Sequence, residues 1–492
     1  MIRETKSGKV EGSCRDGLCR FLGIPYAAPP VGDRRFAPPQ PVEPWRDTRD
    51  ARRAGPCAPH KIAKFPAIDV VSLVGEGGTA GGDYLTLNVW SAEGADASPV
   101  MVFIHGGGYV VGSKDAPVQD GTEFARSGIV CVAINYRLGI DGFLPIPGIP
   151  TNLGLRDMIA ALQWVRDNIA AFGGDPANVT VFGESAGAMA IANLIASPLA
   201  KGLFARTIIQ SGHGSMVREP AVAQKLVMRL AKILKIPVTR AGFAGVEFER
   251  AWKAMEKVSK PIGGVDLRDS RGYEPVYGIS RFIPVYEDDV LPEHPITALK
   301  DGAGTDVQVL IGTNAAEMNL YFVPTKVRAR IPGFLAKWLL GKSHPKPKEA
   351  LKAYGLGQKG KKAGYVLTEA MSDLVFRWPA RLFASAHQGE THVYEFDWHS
   401  PACDGQLGAS HAMEMPFVFK TLRVATGPRG LVGENPPAEL ADRIHAIWVR
   451  FATDGHLPWP EYTRDHPAVH RLAANETVDE PVMPAAAFVP DA

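Results

Sequence analysis

The pentapeptide Gly183-Glu184-Ser185-Ala186-Gly187 constrains this chain more than any other stretch. An apolar, β-branched run, Val179-Thr180-Val181-Phe182, precedes it. Small residues with helical character follow from Met189 to Ser197. Strand, sharp turn and helix in that order make a nucleophile elbow, whose serine hydroxyl stands clear of the strand end. A side chain at either flanking glycine is expected to collide with the neighbouring strand or helix. The pattern therefore asks for an α/β architecture, and its serine points to acyl transfer.

The surrounding chain supplies such an architecture. Leu85 to Trp90, Val100 to Ile104, Ile129 to Tyr136, Val179 to Phe182 and Thr207 to Gln210 read as strands. Between them, Leu155, Ile159, Leu162, Val165 and Ile169 recur at helical spacing, so residues 153–172 form an amphipathic helix stopped by Gly173-Gly174-Asp175-Pro176. Strands alternating with helices predict a mostly parallel sheet covered on both faces. Val307 to Ile311 resumes the sheet, Val393 to Phe396 is expected to be its last strand, and Ala438 to Ala452 a closing helix. Residues 8–24 read as a short hairpin and 25–44 as a proline-rich wrapping arm. Helical patterns without strands over about 214–300, and a further stretch over about 320–385, predict insertions that cap a single catalytic domain spanning 1–492.

Composition excludes several classes. With a net charge of +2, the chain offers no overall electrostatic case for nucleic acid or an anionic membrane. Its longest apolar runs, such as Ile129 to Ile134, are too short to span a bilayer. The opening MIRETKSGKVEG lacks the apolar region of a secretory signal, which favours a cytoplasmic location. Five cysteines make no disulfide framework; Cys14 and Cys19 flank a turn and can lie close across a hairpin, but two free thiols are the plainer reading, and the sequence leaves their bonding open. No Cys/His cluster has zinc spacing, and no cofactor is called for. Residues 326–362 hold eleven Lys or Arg against one Glu, which reads first as a solvated face and second as a surface for an anionic substrate. Gly355 to Lys361 imitates a phosphate loop, but Lys362 stands where Ser or Thr is needed.

Acyl transfer needs more than a serine. Its tetrahedral intermediate carries an oxyanion, which wants preorganised N–H donors. His105-Gly106-Gly107-Gly108 follows the Val100 to Ile104 strand directly, and glycines let a backbone approach such an oxygen closely. The serine also needs a base and the base an orienting acid, in the chain order Ser, acid, His. Composition does not choose among the nine histidines after residue 317. Context favours Glu317, just past the Val307 to Ile311 strand, and His411, in a loop after the Val393 to Phe396 strand. A helix-start carboxylate and a surface-loop histidine are the plainer alternatives for these two.

Over nearly its full length the chain resembles the type B carboxylesterases, within the bacterial para-nitrobenzyl-esterase-like group. The resemblance rests on Phe21 to Gly32 (FLGIPYAAPPVG), Leu85 to Trp90 (LTLNVW), and Asn135 to Gly139 (NYRLG) with Gly142-Phe143-Leu144. It continues through Phe172 to Pro176, the elbow, Gln210-Ser211-Gly212, Gly408 to His411 and Glu414 to Phe417. The resemblance implies an α/β-hydrolase fold and hydrolysis of carboxylic esters through an acyl-enzyme. It implies Ser185 as nucleophile, His411 as base and Glu317 as acid, with oxyanion donors at Gly107, Gly108 and Ala186. Glu184 belongs to the same motif. Glu184, Tyr109, Met189 and Trp398 are candidate substrate contacts.

Departures from the family pattern shape the expectations. Gly81-Gly82-Asp83-Tyr84 replaces the usual Ser-Glu-Asp-Cys, so Cys57 lacks its usual partner and the glutamate that pairs with an arginine, here Arg35, is gone. Met318 follows the acid in place of glycine. The 57–84 loop contains no tryptophan for a quaternary ammonium, which disfavours choline esters. A small-molecule ester is the expected substrate, and the chain is expected to be a monomer or homodimer. The alternatives are an amide or carbamate hydrolase using the same triad and, from another class, a catalytically silent binding module.

Overall fold

The computed structural model describes residues 1–62, 65–76, 81–260 and 264–490. Parts of two sequence-level expectations, within the 57–84 loop and the 214–300 insertion, fall outside these residues.

An eleven-stranded sheet forms the centre. In chain order its strands are β1 (Ser13–Arg15), β2 (Leu18–Pro25), β3 (Thr86–Ala92), β4 (Ser98–Ile104), β5 (Val130–Ile134) and β6 (Gly174–Glu184). They continue with β7 (Arg206–Gln210), β8 (Gln308–Asn314), β9 (Thr391–Phe396), β10 (Ala468–Arg471) and β11 (Glu476–Asp479). Their spatial order is β11-β10-β9-β8-β7-β6-β4-β5-β3-β2-β1. Every pairing from β5 to β10 is parallel, and the pairings at both edges are antiparallel. Central strands alternate between two cores: Val100, Val102 and Ile104 face one, Met101 and Phe103 the other. Both faces are apolar, as a parallel sheet covered by helices requires. Helix α1 (Leu153–Asn168) and helix α2 (Ala186–Ile195) cover the first face, and α3 (Ala438–Asp454) packs Ile444, Trp448 and Phe451 onto the second.

Several expectations are corrected. The sheet does not end at β9. After α3 the chain returns to add β10 and β11, short segments whose mixed polarity hid them among loops. Gly8–Glu11 leaves the N-terminal hairpin and pairs with Ile2–Thr5 and Arg49–Asp50 in a separate three-stranded sheet. Cys14 and Cys19 are joined in a disulfide, because β1 and β2 pair antiparallel with these two residues directly opposite, their Cα atoms 4.0 Å apart. Arg35, without its usual glutamate, pairs with Asp141 at 3.0 Å. A Cβ at Gly82 would come within 2.4 Å of Val31, so the missing side chain is not simply replaced by space.

The insertions are helical only in part: residues 264–294 of the first are loops and turns, contrary to the helical pattern expected over about 214–300. Pro220–Leu234, Phe248–Ser259 and Pro295–Lys300 occupy the first, and Gly333–Leu340, Ala363–Ser372 and Trp378–Ala386 the second. Among the described residues, no helix is long and apolar enough to cross a membrane.

Candidate active site

The site sits where β4, β6 and β8 end at the same edge of the sheet. Ser185, between β6 and α2, has φ 55° and ψ −121°, a conformation rare for a residue with a side chain. Its N–H donates to the carbonyl of Gln210 at the end of β7, and its own carbonyl accepts from Met189 N as α2 begins. The flanking glycines explain the pentapeptide. A Cβ on Gly183 would lie 2.6 Å from the Ile104 carbonyl oxygen, and one on Gly187 only 2.0 Å from it. The turn closes only because both positions lack a side chain.

Three side chains meet at this turn. His411 Nε2 lies 2.8 Å from Ser185 Oγ, and His411 Nδ1 lies 2.6 Å from Glu317 Oε2. The loops carrying acid and histidine are bonded to each other through their backbones. Ala316 N donates to Ala409 O, and His411 N to Glu317 O. The other oxygen of Glu317 accepts from Asn314 N at 2.7 Å and from Ser211 Oγ at 2.6 Å. Two donors on one oxygen hold the carboxylate with its second oxygen toward the imidazole. Phe376 and Tyr321 pack on the His411 ring, with centroids 4.7 and 5.7 Å away.

Glu184 adds a second carboxylate to the same imidazole, its Oε1 3.1 Å from Nε2. Burial raises the Glu184 pKa, and Glu414 and Glu317 add to it against the pull of His411. For His411 burial opposes the imidazolium, yet Glu184 and Glu317 outweigh burial and raise its pKa. The two groups are coupled through one short contact. An ionised Glu184 therefore favours the imidazolium, and protonation of Glu184 favours neutral His411.

The glycine loop lies beside the serine. Gly107 and Gly108 have φ of 104° and 61°. A Cβ on Gly106 would meet Glu184 Oε2 at 2.6 Å, and one on Gly107 the Val111 carbonyl oxygen at 2.2 Å. Among the described residues, no protein acceptor takes the N–H of Gly107, Gly108 or Ala186. His105, at the head of the loop, is a structural group. It stacks on Tyr136 at 4.4 Å, and burial lowers its pKa to about 3, so it is neutral. The loop is braced from outside by Ser280, whose hydroxyl donates to Gly108 O at 2.6 Å.

The sequence-predicted substrate contacts fare unevenly. Met189 lies in the first turn of α2, next to the nucleophile, and is 4 % exposed. Tyr109 is fully buried, with φ 61° and its ring against Phe143 at 4.3 Å, and so belongs to the core. The described ring contact of Trp398 is with Phe417, on the far face of the sheet, not with the triad. Conversely, Ser211, Ser280, Tyr321 and Phe376 reach the site without having been candidates from the sequence. Only Ser211, inside Gln210-Ser211-Gly212, lay in a motif the sequence marks. Among the described residues, no group of three or more His, Cys, Asp or Glu could hold a metal ion.

Comparison with known proteins places this geometry in context. A family model described as the carboxylesterase family matches residues 1–485. The chain is 35% identical over 484 residues to a para-nitrobenzyl esterase of Bacillus subtilis, covering 94% of this chain and 92% of that one. It is 33% identical to a phenmedipham hydrolase of Pseudarthrobacter oxydans, covering 95% of this chain and 94% of the relative. A solved structure of a PNB esterase superposes with a TM-score of 0.81 at 31% identity, covering all of both chains.

Proposed function

The chain belongs to the carboxylesterase family and is a carboxylic ester hydrolase, and from that premise we propose which of its residues perform the reaction. Ser185 is the nucleophile, His411 the general base and acid, and Glu317 the group that orients and charge-balances the imidazole. The observation that carries this assignment is the unbroken line Ser185 Oγ, His411 Nε2, His411 Nδ1, Glu317 Oε2, with separations of 2.8 and 2.6 Å at its two hydrogen bonds. His411 takes the Ser185 proton as Oγ bonds to the ester carbonyl carbon. The carbonyl oxygen becomes an oxyanion, received by the N–H groups of Gly107, Gly108 and Ala186. Collapse breaks the bond to the alcohol oxygen, which leaves with the proton from His411. Water then repeats the sequence on the acyl-enzyme and releases the acid.

The ester reading is preferred to an amide or carbamate reading, and the base within reach of Ser185 argues against a silent binding module. We further propose that the helical insertions at about 214–300 and 320–385 form a cap on one catalytic domain and select the substrate. The test is Ser185→Ala with a p-nitrophenyl ester. Turnover should fall by at least about 10⁴-fold with the fold intact. Near wild-type turnover by the alanine variant would reject the assignment.

A further inference from the structure

A cavity of about 410 Å³ lies between the two insertions, and its walls reach the site from two sides. On one side Ile279 and Arg281 line it, and they flank Ser280, whose hydroxyl grips the carbonyl of Gly108. On the other side Met318 lines it immediately after Glu317, and so does Tyr321, whose ring packs on His411. Most of the remaining wall is apolar, including Phe322, Leu339 and Met371. The volume suits the distal arm of a small ester rather than a macromolecule.

The charges in this wall are unbalanced. Arg268, Arg281 and Lys342 line it against the single carboxylate of Asp266. That carboxylate is engaged already, with Arg268 at 2.6 Å. The next carboxylates along the chain are engaged too, Glu274 with Arg218 at 2.8 Å and Asp269 with Arg271 at 3.2 Å. Lys342 rests its ammonium over the Trp338 ring, 4.6 Å from the centroid. Arg281 differs from all of these. It is partly buried, and its Nε is fully buried with no hydrogen-bond partner. A guanidinium that lines a cavity next to a reactive site, with no carboxylate partner among the described residues, is suited to a planar anion with two oxygens, which its terminal nitrogens would meet. The eleven basic residues of 326–362, among them Lys342 in the cavity wall, add a field that favours anions.

We propose that this cavity receives the distal arm of an ester bearing a carboxylate, and that Arg281 is the specificity residue that pairs with it. The inference rests on the esterase reading above and names its substrate class: esters in which an apolar spacer separates the scissile bond from an anionic end. The anion can sit on the acyl or the alcohol side of the ester, and the two arms of the test separate these.

The experiment compares matched pairs on the full-length protein at low salt. On the acyl side the pair is p-nitrophenyl hydrogen suberate against p-nitrophenyl octanoate. On the alcohol side it is 6-acetoxyhexanoate against hexyl acetate. The wild type should prefer the anionic member of at least one pair by about tenfold or more in kcat/KM, the range expected of a charge-assisted pair. The preference should shrink as salt rises. Arg281→Met should reduce the anionic-to-neutral ratio by about tenfold, mainly through KM, and Arg281→Lys should restore part of it. No anionic preference in either pair, or a ratio unchanged within about twofold in Arg281→Met, overturns the proposal. Because the wild-type comparison needs no variant, poor folding of Arg281→Met leaves the test decisive. Absence of turnover on the neutral esters would instead count against the esterase reading, so the two failures are told apart.

Discussion

The strand-end cluster and the insertion cavity are built on opposite principles. In the cluster, each functional group is fixed by backbone at the strand ends and the loops that follow them. Ser185 is held by its own strained turn, Glu317 by Asn314 N, and His411 by a backbone bond to Glu317 O. In the cavity, Arg281, Met318, Tyr321, Lys342 and Met371 come from separate stretches of chain and meet only by tertiary packing. Chemistry is thus carried by short motifs on rigid strand ends, and selectivity by residues scattered over insertions. If this division is right, damage to the cluster slows all esters alike, while changes in the cavity alter the ranking of esters.

Glu317→Gln makes the largest break. The amide can still fill the space, but it no longer balances the imidazolium formed on Nε2 protonation. Turnover should fall by about 10³–10⁴-fold, with the melting temperature nearly kept. Measured on a short and a long p-nitrophenyl ester, the factor should be the same within about threefold. A loss confined to one ester would place Glu317 in substrate selection and dissolve the division drawn here. Near wild-type rates would remove it from the triad.

Glu184→Gln is the subtler change inside the same cluster, and it acts through pH. His411 serves as base only when neutral, so kcat/KM rises with pH through its pKa. Burial opposes the imidazolium, but Glu184 and Glu317 raise that pKa above the ordinary 6.5, so the acid limb of wild type should lie above that value. Removing one of the two carboxylates lowers the pKa. The acid limb of Glu184→Gln should therefore move to lower pH, with a smaller effect on the plateau than Glu317→Gln has. An acid limb that stays in place, or moves upward, would show that the 3.1 Å contact does not set the charge on His411.

The same division explains what was legible before the structure. Gly183, Gly187 and Gly107 announce themselves because a Cβ at each would strike backbone, so the sequence has no freedom there. Glu317 and His411 stand out as candidates because each lies in a loop after a strand that the sequence marks, β8 and β9. β10 and β11 escape a sequence reading because they are short strands of four residues each and mixed polarity at the end of the sheet, and their pattern is that of a loop. Tyr109 and Trp398 show the converse. An aromatic next to a motif is as readily a core residue, and only packing against Phe143 or Phe417 decides it. Tyr321 and Phe376 carry no local pattern at all, since their role comes from touching the His411 ring across the fold.

The smallest expected effect lies farthest from both regions, at the N-terminal edge. The Cys14–Cys19 disulfide closes a turn of only a few residues on β1 and β2, the last two strands at that end of the sheet. Closing so short a loop removes little entropy from the unfolded chain, on the order of 2 kcal/mol in the chain-entropy picture. Antiparallel pairing of β1 with β2 and of β2 with β3 remains when the bond is cut. The double variant Cys14→Ser/Cys19→Ser should therefore melt within a few degrees of wild type. Its kcat and KM should be unchanged for anionic and neutral esters alike, because β4, β6 and β8, which position the site, lie across β3 and β5 from the hairpin. A loss of activity in this variant, without a matching loss of stability, would couple the sheet edge to the strand ends. That coupling would contradict a cluster fixed by its own local backbone.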